Sequence, residues 1–253
     1  MTPDLPDLVL GYFIIFARLG AALVLLPGLA NPRFPAFSRI LFALVTTMVL
    51  TPYLKESING LGPIAASGRF WKIVATESVI GLAFGFWCYC FLHASRFAAS
   101  IIATVTGLAG VPGQPIDEHD PTSHLGTLLS LVATALVFAT DLHLLALRAL
   151  TQSYEAFPVG EVPGGTWLGQ NTISIISGTS TLALQVASPF IVVAVVLNLA
   201  LGFCSKFTPQ LQVYFASLGL TVLLSLAILA LIAPGILSIP INAYAGWLEN
   251  SSL

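Results

Sequence analysis

Four ionisable residues sit inside otherwise apolar stretches of this 253-residue chain: Arg18, Glu77, Asp141 and His143. A charged side chain at the centre of a bilayer costs roughly 2.5–3.5 kcal/mol on insertion scales, so such groups face protein or a wet cavity. Two chemistries fit them. One is a proton or ion pathway. The other is polar pairing within or between helices, or between subunits. A relay would set several acids on one helix face, or pair acids with histidine. Asp141 and His143 stand two residues apart and so point to different faces of a helix, which favours structural pairing. Lys206 belongs to the same set, because no other charge occurs between Glu161 and Glu249.

A second concentration of reactive side chains lies in "GLAGVPGQPIDEHDPTSHLG", residues 107–126. Here His119 and His124 flank Asp117, Glu118 and Asp120, residue types that can ligate a metal. The cluster is short and has no cysteine near it, and it reads as a solvated turn with no metal site. Cys88 and Cys90 form a C-x-C inside an apolar run and Cys204 stands alone. Neither spacing suits zinc or redox work, so they read as small buried hydrophobes. No H-E-x-x-H, G-x-S-x-G or P-loop is present. The chain is expected to have no catalytic residue and no cofactor.

Composition says what must position these groups. Hydrophobic residues make up 57% of the chain and charged residues 8%, against about 25% charged in a soluble domain. The bulk must face lipid or other apolar protein. A net charge of −2 gives no basic footprint for nucleic acid. The start, MTPDLPD, lacks the positive region of a cleavable signal, so the first apolar segment reads as its own insertion signal.

Apolar runs of 15 to 25 residues exceed ordinary strands, and the fold is expected to be all-α: integral membrane-type helical hairpins, about seven apolar helical segments and no sheet. Those segments read as 8–30, 40–53 (starting earlier if the break 31–39 joins it), 71–93, 97–111, 127–147, and two long runs meeting near "SKFTPQ" (205–210). Pro209 disfavours helix at Thr208, and Pro189 and Pro234 should kink or end their helices. Thr122 or Ser123 can cap the helix after the strip. Lysine and arginine counts give no single topology: Arg33 and Arg39 favour a cytoplasmic first loop, yet Lys55, Arg69 and Lys72 lie in the loop that should be opposite. Final placement set by partner subunits would account for that conflict.

Taken in order along the chain, these stretches resemble the FliR/SctT family, the export-gate subunit of flagellar and related type III secretion systems. "FARLGAALVLLPGLANPRFPAFSR" (16–39) resembles the opening helix of the family. "GLAFGF" (81–86) is similar to its Gly-containing third helix, and "ATVTGLAG" with the following Asp120-Pro121 to the region ending in Asp-Pro. His143, Ser153 and "FPVG" (157–160) fall where the family tends to have His, Ser and Pro-x-Gly. "TPQLQVYFASLGL" (208–220) resembles the Pro-Gln-Leu turn and the helix after it. Ala98 and Ala99 depart from it, standing where Gly is frequent.

The resemblance implies a subunit of the pore through which unfolded proteins are exported, in the bacterial inner membrane at the flagellar basal body. Residues 1–160 would be FliP-like and 161–253 a FliQ-like hairpin. Partners would be FliP-like and FliQ-like membrane subunits in a hetero-oligomeric ring, FliB/FlhB-like and FlhA-like export components, secreted protein substrates and membrane lipid. The charges at Arg18, Glu77, Asp141, His143 and Lys206 would find partners on neighbouring subunits. The strip 107–124 would plug the closed channel, with Gly107, Gly110, Pro112, Gly113, Pro115, Asp120 and Pro121 as its gate residues. Glycine permits unusual backbone angles there and proline limits the entropy lost on closing. A polytopic small-solute or ion transporter is the alternative. It should show inverted repeats and broken helices, and no repeat is evident.

Overall fold

A computed structural model describes residues 5–29, 35–54, 69–107, 124–161, 163–207 and 213–250. Among them are seven helices and no strand: α1 (Leu5–Leu25), α2 (Ala36–Leu50), α3 (Phe70–Val105), α4 (His124–Ala139), α5 (Leu142–Ala156), α6 (Gly165–Phe207) and α7 (Val213–Asn250). The all-α expectation holds, but the segments are cut differently. The runs 71–93 and 97–111 form one 36-residue helix. Two polar residues, Ser95 and Arg96, are too few to break a helix whose backbone bonds they leave intact. The run 127–147 is instead two helices, bent by 70° at residues 140–141. One merger and one split leave the total at seven.

By length and composition, α3, α6 and α7 from Gly219 can each cross a membrane among the described residues, and the bent pair α4–α5 adds a fourth span if taken as one. Pro189 lies inside α6, and Pro234 and Pro240 inside α7. None of them ends its helix. The missing Pro189 N–H frees the Gln185 carbonyl, and the Ser188 hydroxyl donates to that oxygen at 2.8 Å. In an apolar setting a freed backbone group needs such a substitute. The same economy covers buried hydroxyls: Thr47, Thr51 and Thr106 donate to the carbonyls of Ala43, Thr47 and Ile102, each at 2.7 Å.

The chain forms two compact units, each drawn from separate stretches. The first comprises Met1–Cys90, Val137–Ile176 and Tyr244–Leu253; the second comprises Phe91–Leu136 and Ser177–Ala243. In the first, Ile14, Leu19 and Leu23 of α1 are buried with Phe84 and Trp87 of α3 and Leu150 of α5. In the second, Ala98, Ala99 and Ile102 of α3 pack with Ala183, Ala187 and Phe190 of α6 and Ile236 of α7. Small residues on α3 there let the large Phe190 fill the interior.

The break between α4 and α5 has a local cause. Asp141 adopts φ 55, the only positive φ outside glycine among the described residues. Its N–H reaches the Phe138 carbonyl at 3.3 Å, and its own carbonyl accepts from Leu144 at 3.0 Å. It therefore closes one helix and opens the next in a left-handed conformation that Asp tolerates better than most residues. Asp141→Val is expected to lower the thermal unfolding midpoint in detergent and to cost about 1–2 kcal/mol, whereas Asp141→Gly and Asp141→Asn should leave it near the parent value. Tryptophan fluorescence on heating reads the difference. A Val variant as stable as the parent would show that the break does not depend on this backbone conformation.

Candidate functional site: a buried ionic node

Arg18 and Glu77, both fully buried, meet inside the first unit. The Arg18 Nε donates to Glu77 Oε2 at 2.6 Å. One terminal guanidinium nitrogen donates to the carbonyl and to the hydroxyl of Ser153, each at 3.3 Å, and the other to the Phe157 carbonyl at 3.0 Å. The guanidinium carbon lies 4.0 Å from the centre of the Tyr154 ring. The second carboxylate oxygen of Glu77 accepts from the Gly160 N–H at 3.0 Å. Both charges are thus paired and their remaining hydrogen-bonding capacity is largely used, the condition under which a buried ion pair is tolerable.

Local sequence explains each part. Glu77, Gly81 and Gly85 recur every four residues and share one face of α3. A Cβ at Gly81 would fall on the Arg18 carbonyl oxygen, and one at Gly85 would come within 2.6 Å of the Ala22 carbonyl oxygen. The two glycines therefore let the backbones of α1 and α3 touch, as in small-xxx-small helix pairs. That contact fixes Arg18 opposite Glu77. Helix α5 brings its C-terminal end to the same point, where its last carbonyls lack partners within the helix and a cation is favourable. The Phe157 N–H closes back on the Ser153 carbonyl at 2.9 Å. Gly160, at φ 85, turns the chain after Pro158 and aims its N–H at Glu77.

Beside the node lies an aromatic cluster that spacing in the sequence did not announce. Trp87 of α3 stands 5.9 Å from Trp167 of α6 and 6.4 Å from Trp247 of α7, ring centre to ring centre. The Trp87 indole N–H donates to the Thr172 hydroxyl at 3.0 Å. Phe157, whose carbonyl holds Arg18, packs on Trp167 at 4.8 Å. Three of the four tryptophans thus converge from three helices distant in sequence. A charge in the interior of each of two apolar helices was the one available signal for the node, and reading each charge separately concealed that they answer each other.

The remaining expected site residues lie elsewhere. Asp141 is exposed at the helix break, and His143 is half-buried with its ring 4.9 Å from Phe138. The Nδ1 of His143 and the hydroxyl of Tyr154 are buried without a hydrogen-bond partner among the described residues. Lys206 is exposed in the last turn of α6. Gly107 is exposed just beyond α3, with φ 75. Gly110, Pro112, Gly113, Pro115, Asp120 and Pro121 lie outside the described residues, as do Thr122, Ser123 and the acid–histidine cluster 117–120. The resemblance put the partners of the intrahelical charges on neighbouring subunits; Arg18 and Glu77 find theirs within this chain.

The node ties three helices and a turn together, and its chemistry is cohesion. Arg18→Ala or Glu77→Ala, each leaving the opposite charge buried and unpaired, should cost about 3–5 kcal/mol. The volume-conserving double change Arg18→Met with Glu77→Leu should recover much of that loss. Gly81→Val should behave like the single charge deletions, because it separates the two backbones. Denaturant titration in detergent, followed by tryptophan fluorescence, measures all four. Additive losses in the double variant would show that the two charges are not coupled.

With this geometry in view, the comparisons with known proteins are informative over nearly the full length. Residues 9–245 match the family described as "Bacterial export proteins, family 1". The chain is 31% identical over 237 residues to the flagellar biosynthetic protein FliR of Caulobacter vibrioides, covering 93% of each chain. It is 26% identical over 232 residues to the protein of that name from Escherichia coli (strain K12), covering 88% of this chain and 84% of the relative. For its Bacillus subtilis (strain 168) counterpart the identity is 22% over 253 residues, with 96% and 94% covered. The match spans α1 to most of α7 and takes in every residue of the ionic node, and on it the chain belongs to family 1 of the bacterial export proteins.

Proposed function

We propose that the chain is a non-catalytic subunit of the flagellar or type III export gate and forms part of the pore through which unfolded proteins leave the cell. The observation that carries this reading is the family match over residues 9–245, joined by near full-length similarity to three flagellar biosynthetic proteins. In this reading residues 1–160 are FliP-like and 161–253 FliQ-like. They sit with FliP-like and FliQ-like subunits in a hetero-oligomeric ring in the inner membrane at the basal body. FliB/FlhB-like and FlhA-like components work alongside, and residues 107–124 plug the closed channel.

The distribution of apolar surface supports a chain built for assembly in a membrane. Helix α2 buries only Ala43 and Thr47 of its 15 residues. Phe37, Met48 and Val49 on it are 75%, 61% and 71% exposed. At about 1.5 Å per residue such a helix falls short of the roughly 30 Å hydrocarbon core. Its apolar sides need lipid or the helices of other subunits. On α6 and α7, Phe203, Phe207 and Leu231 are likewise exposed. Surfaces of this extent mark interfaces or membrane contact.

Purification in mild detergent should yield a heteromeric complex holding one copy of this chain with smaller membrane subunits. A lone monomer or homodimer that binds a small solute would overturn the gate reading in favour of a carrier. Shortening residues 111–119 should leave that complex intact and render it leaky to ions in planar-bilayer recordings. A shortened complex that stays tight counts against the plug.

A further inference from the structure

Helix α3 opens, in the first unit, on Arg69, Phe70, Trp71 and Lys72, with Arg69 just ahead of the first helical residue. Arg69 and Lys72 are exposed, and Trp71 is 76% exposed. The half-buried Phe70 ring meets the indole edge-on, 5.3 Å between centres, and supports it without covering it. Among the described residues neither cation has an ion pair or a side-chain hydrogen bond. The carboxylate of α3, Glu77, is buried and taken by Arg18 and the Gly160 N–H. Lys55 and Glu56 lie outside the described residues.

The outward side of α3 beyond this start is wholly apolar. From residue 73 to residue 90 the exposed residues are Ala75, Val79, Leu82 and Phe86. They recur every three or four residues and so form one stripe. The half-buried Thr76 and Ser78 do not interrupt it, because their hydroxyls donate to the Lys72 and Val74 carbonyls at 2.9 and 2.8 Å. At 3.6 residues per turn, Trp71 and Lys72 flank the two edges of the stripe at its end. An unbroken apolar flank suits acyl chains. An exposed indole settles at headgroup level, with its ring on the apolar side and its N–H wet. Lysine and arginine reach past that level with their charged ends. The succession along α3 is therefore that of a bilayer followed outward, from acyl chain to headgroup.

We propose that Arg69, Trp71 and Lys72 form a docking site for the headgroup of an anionic phospholipid, which fixes the first turn of α3 at one face of the bilayer. The inference rests on the membrane placement in the reading above and not on the pore or the plug. Two cations without an acid beside them select a negative headgroup over a zwitterionic one. The stripe that runs on from them favours lipid over an acidic protein, since a single lipid molecule supplies both the charge and the oil.

Brominated lipids test this on the full chain with its co-purifying subunits, reconstituted into vesicles of phosphatidylcholine and phosphatidylglycerol in equal parts. One lipid or the other carries bromine on its acyl chains near the headgroup and quenches the indoles it touches. The share of quenching that disappears in Trp71→Phe belongs to Trp71. At low ionic strength that share should report a preference for phosphatidylglycerol over phosphatidylcholine of about fivefold or more. Arg69→Gln combined with Lys72→Gln should bring the ratio close to one, and high salt should shrink it. Arg148→Gln, which removes an exposed cation elsewhere in the same unit, should leave it unchanged. All these side chains are on the surface, and an unchanged thermal unfolding midpoint verifies that the variants keep the fold. Equal quenching by the two lipids overturns the headgroup site and leaves Trp71 simply in contact with lipid. Absence of any quenching assignable to Trp71 also overturns it, and then protein covers this end of α3. The gate reading fails separately, through subunit composition. A selective site in a chain that purifies alone keeps the lipid site and sinks the gate, whereas a heteromeric complex without lipid selection at Trp71 does the reverse.

Discussion

Two full charges cannot be taken out of water unless each is met by the other and by further polar groups, and the first unit is organised around satisfying Arg18 and Glu77. Meeting that demand fixes several things together. Helices α1 and α3 must approach until their backbones touch, which Gly81 and Gly85 permit. The C-terminal end of α5 must arrive with free carbonyls, which its position at the guanidinium supplies. The turn after it must expose an N–H, which Gly160 provides. Each of these would be arbitrary alone. Together they are the partners that one buried ion pair needs, and they tie segments 135 and more residues apart in sequence.

The rest of the chain solves a quieter form of the same problem. With so few polar groups available, backbone and hydroxyl needs are met within each helix, as Ser188 does for the carbonyl beneath Pro189. Side chains are then left free to present almost wholly apolar surfaces. Such helices have little to hold them to one another in lipid except packing and occasional polar contacts. This is why the ionic node and the cluster of tryptophans carry so much of the specificity among the described residues of the first unit, and why broad apolar faces on α2, α6 and α7 remain for other molecules to cover.

Much of this was legible in the residues. Composition and the length of the apolar runs sufficed for an all-α membrane protein, because an 8% charged chain has few other ways to hide its surface. Element boundaries were less legible. Ser95 and Arg96 looked like a break but lie within α3, since a helix interior accepts polar side chains wherever one face meets water or protein. The real break, at Asp141, was hidden in a run of strong helix formers, because a left-handed aspartate leaves no mark in hydropathy. Arg18 and Glu77, 59 residues apart, were visible as costly residues, yet their pairing was not, since it depends on a backbone contact that Gly81 and Gly85 make possible. The tryptophan cluster left no periodic trace at all.

Arg18 and Arg96 show why burial matters more than charge in reading such a sequence. Both are arginines in apolar helices, and on insertion scales they cost the same. Arg18 is wholly enclosed, with a carboxylate, two carbonyls, a hydroxyl and a ring around its guanidinium. Nothing outside the chain is needed to hold it, so its task is internal. Arg96 keeps part of its surface open in a unit whose described residues offer no acid, and it shares its side of α3 with hydroxyls rather than with leucines. In a chain with nine basic residues, these two differ in enclosure and not in charge: one is sealed in with its partners, and the other stays partly open on the side of its helix.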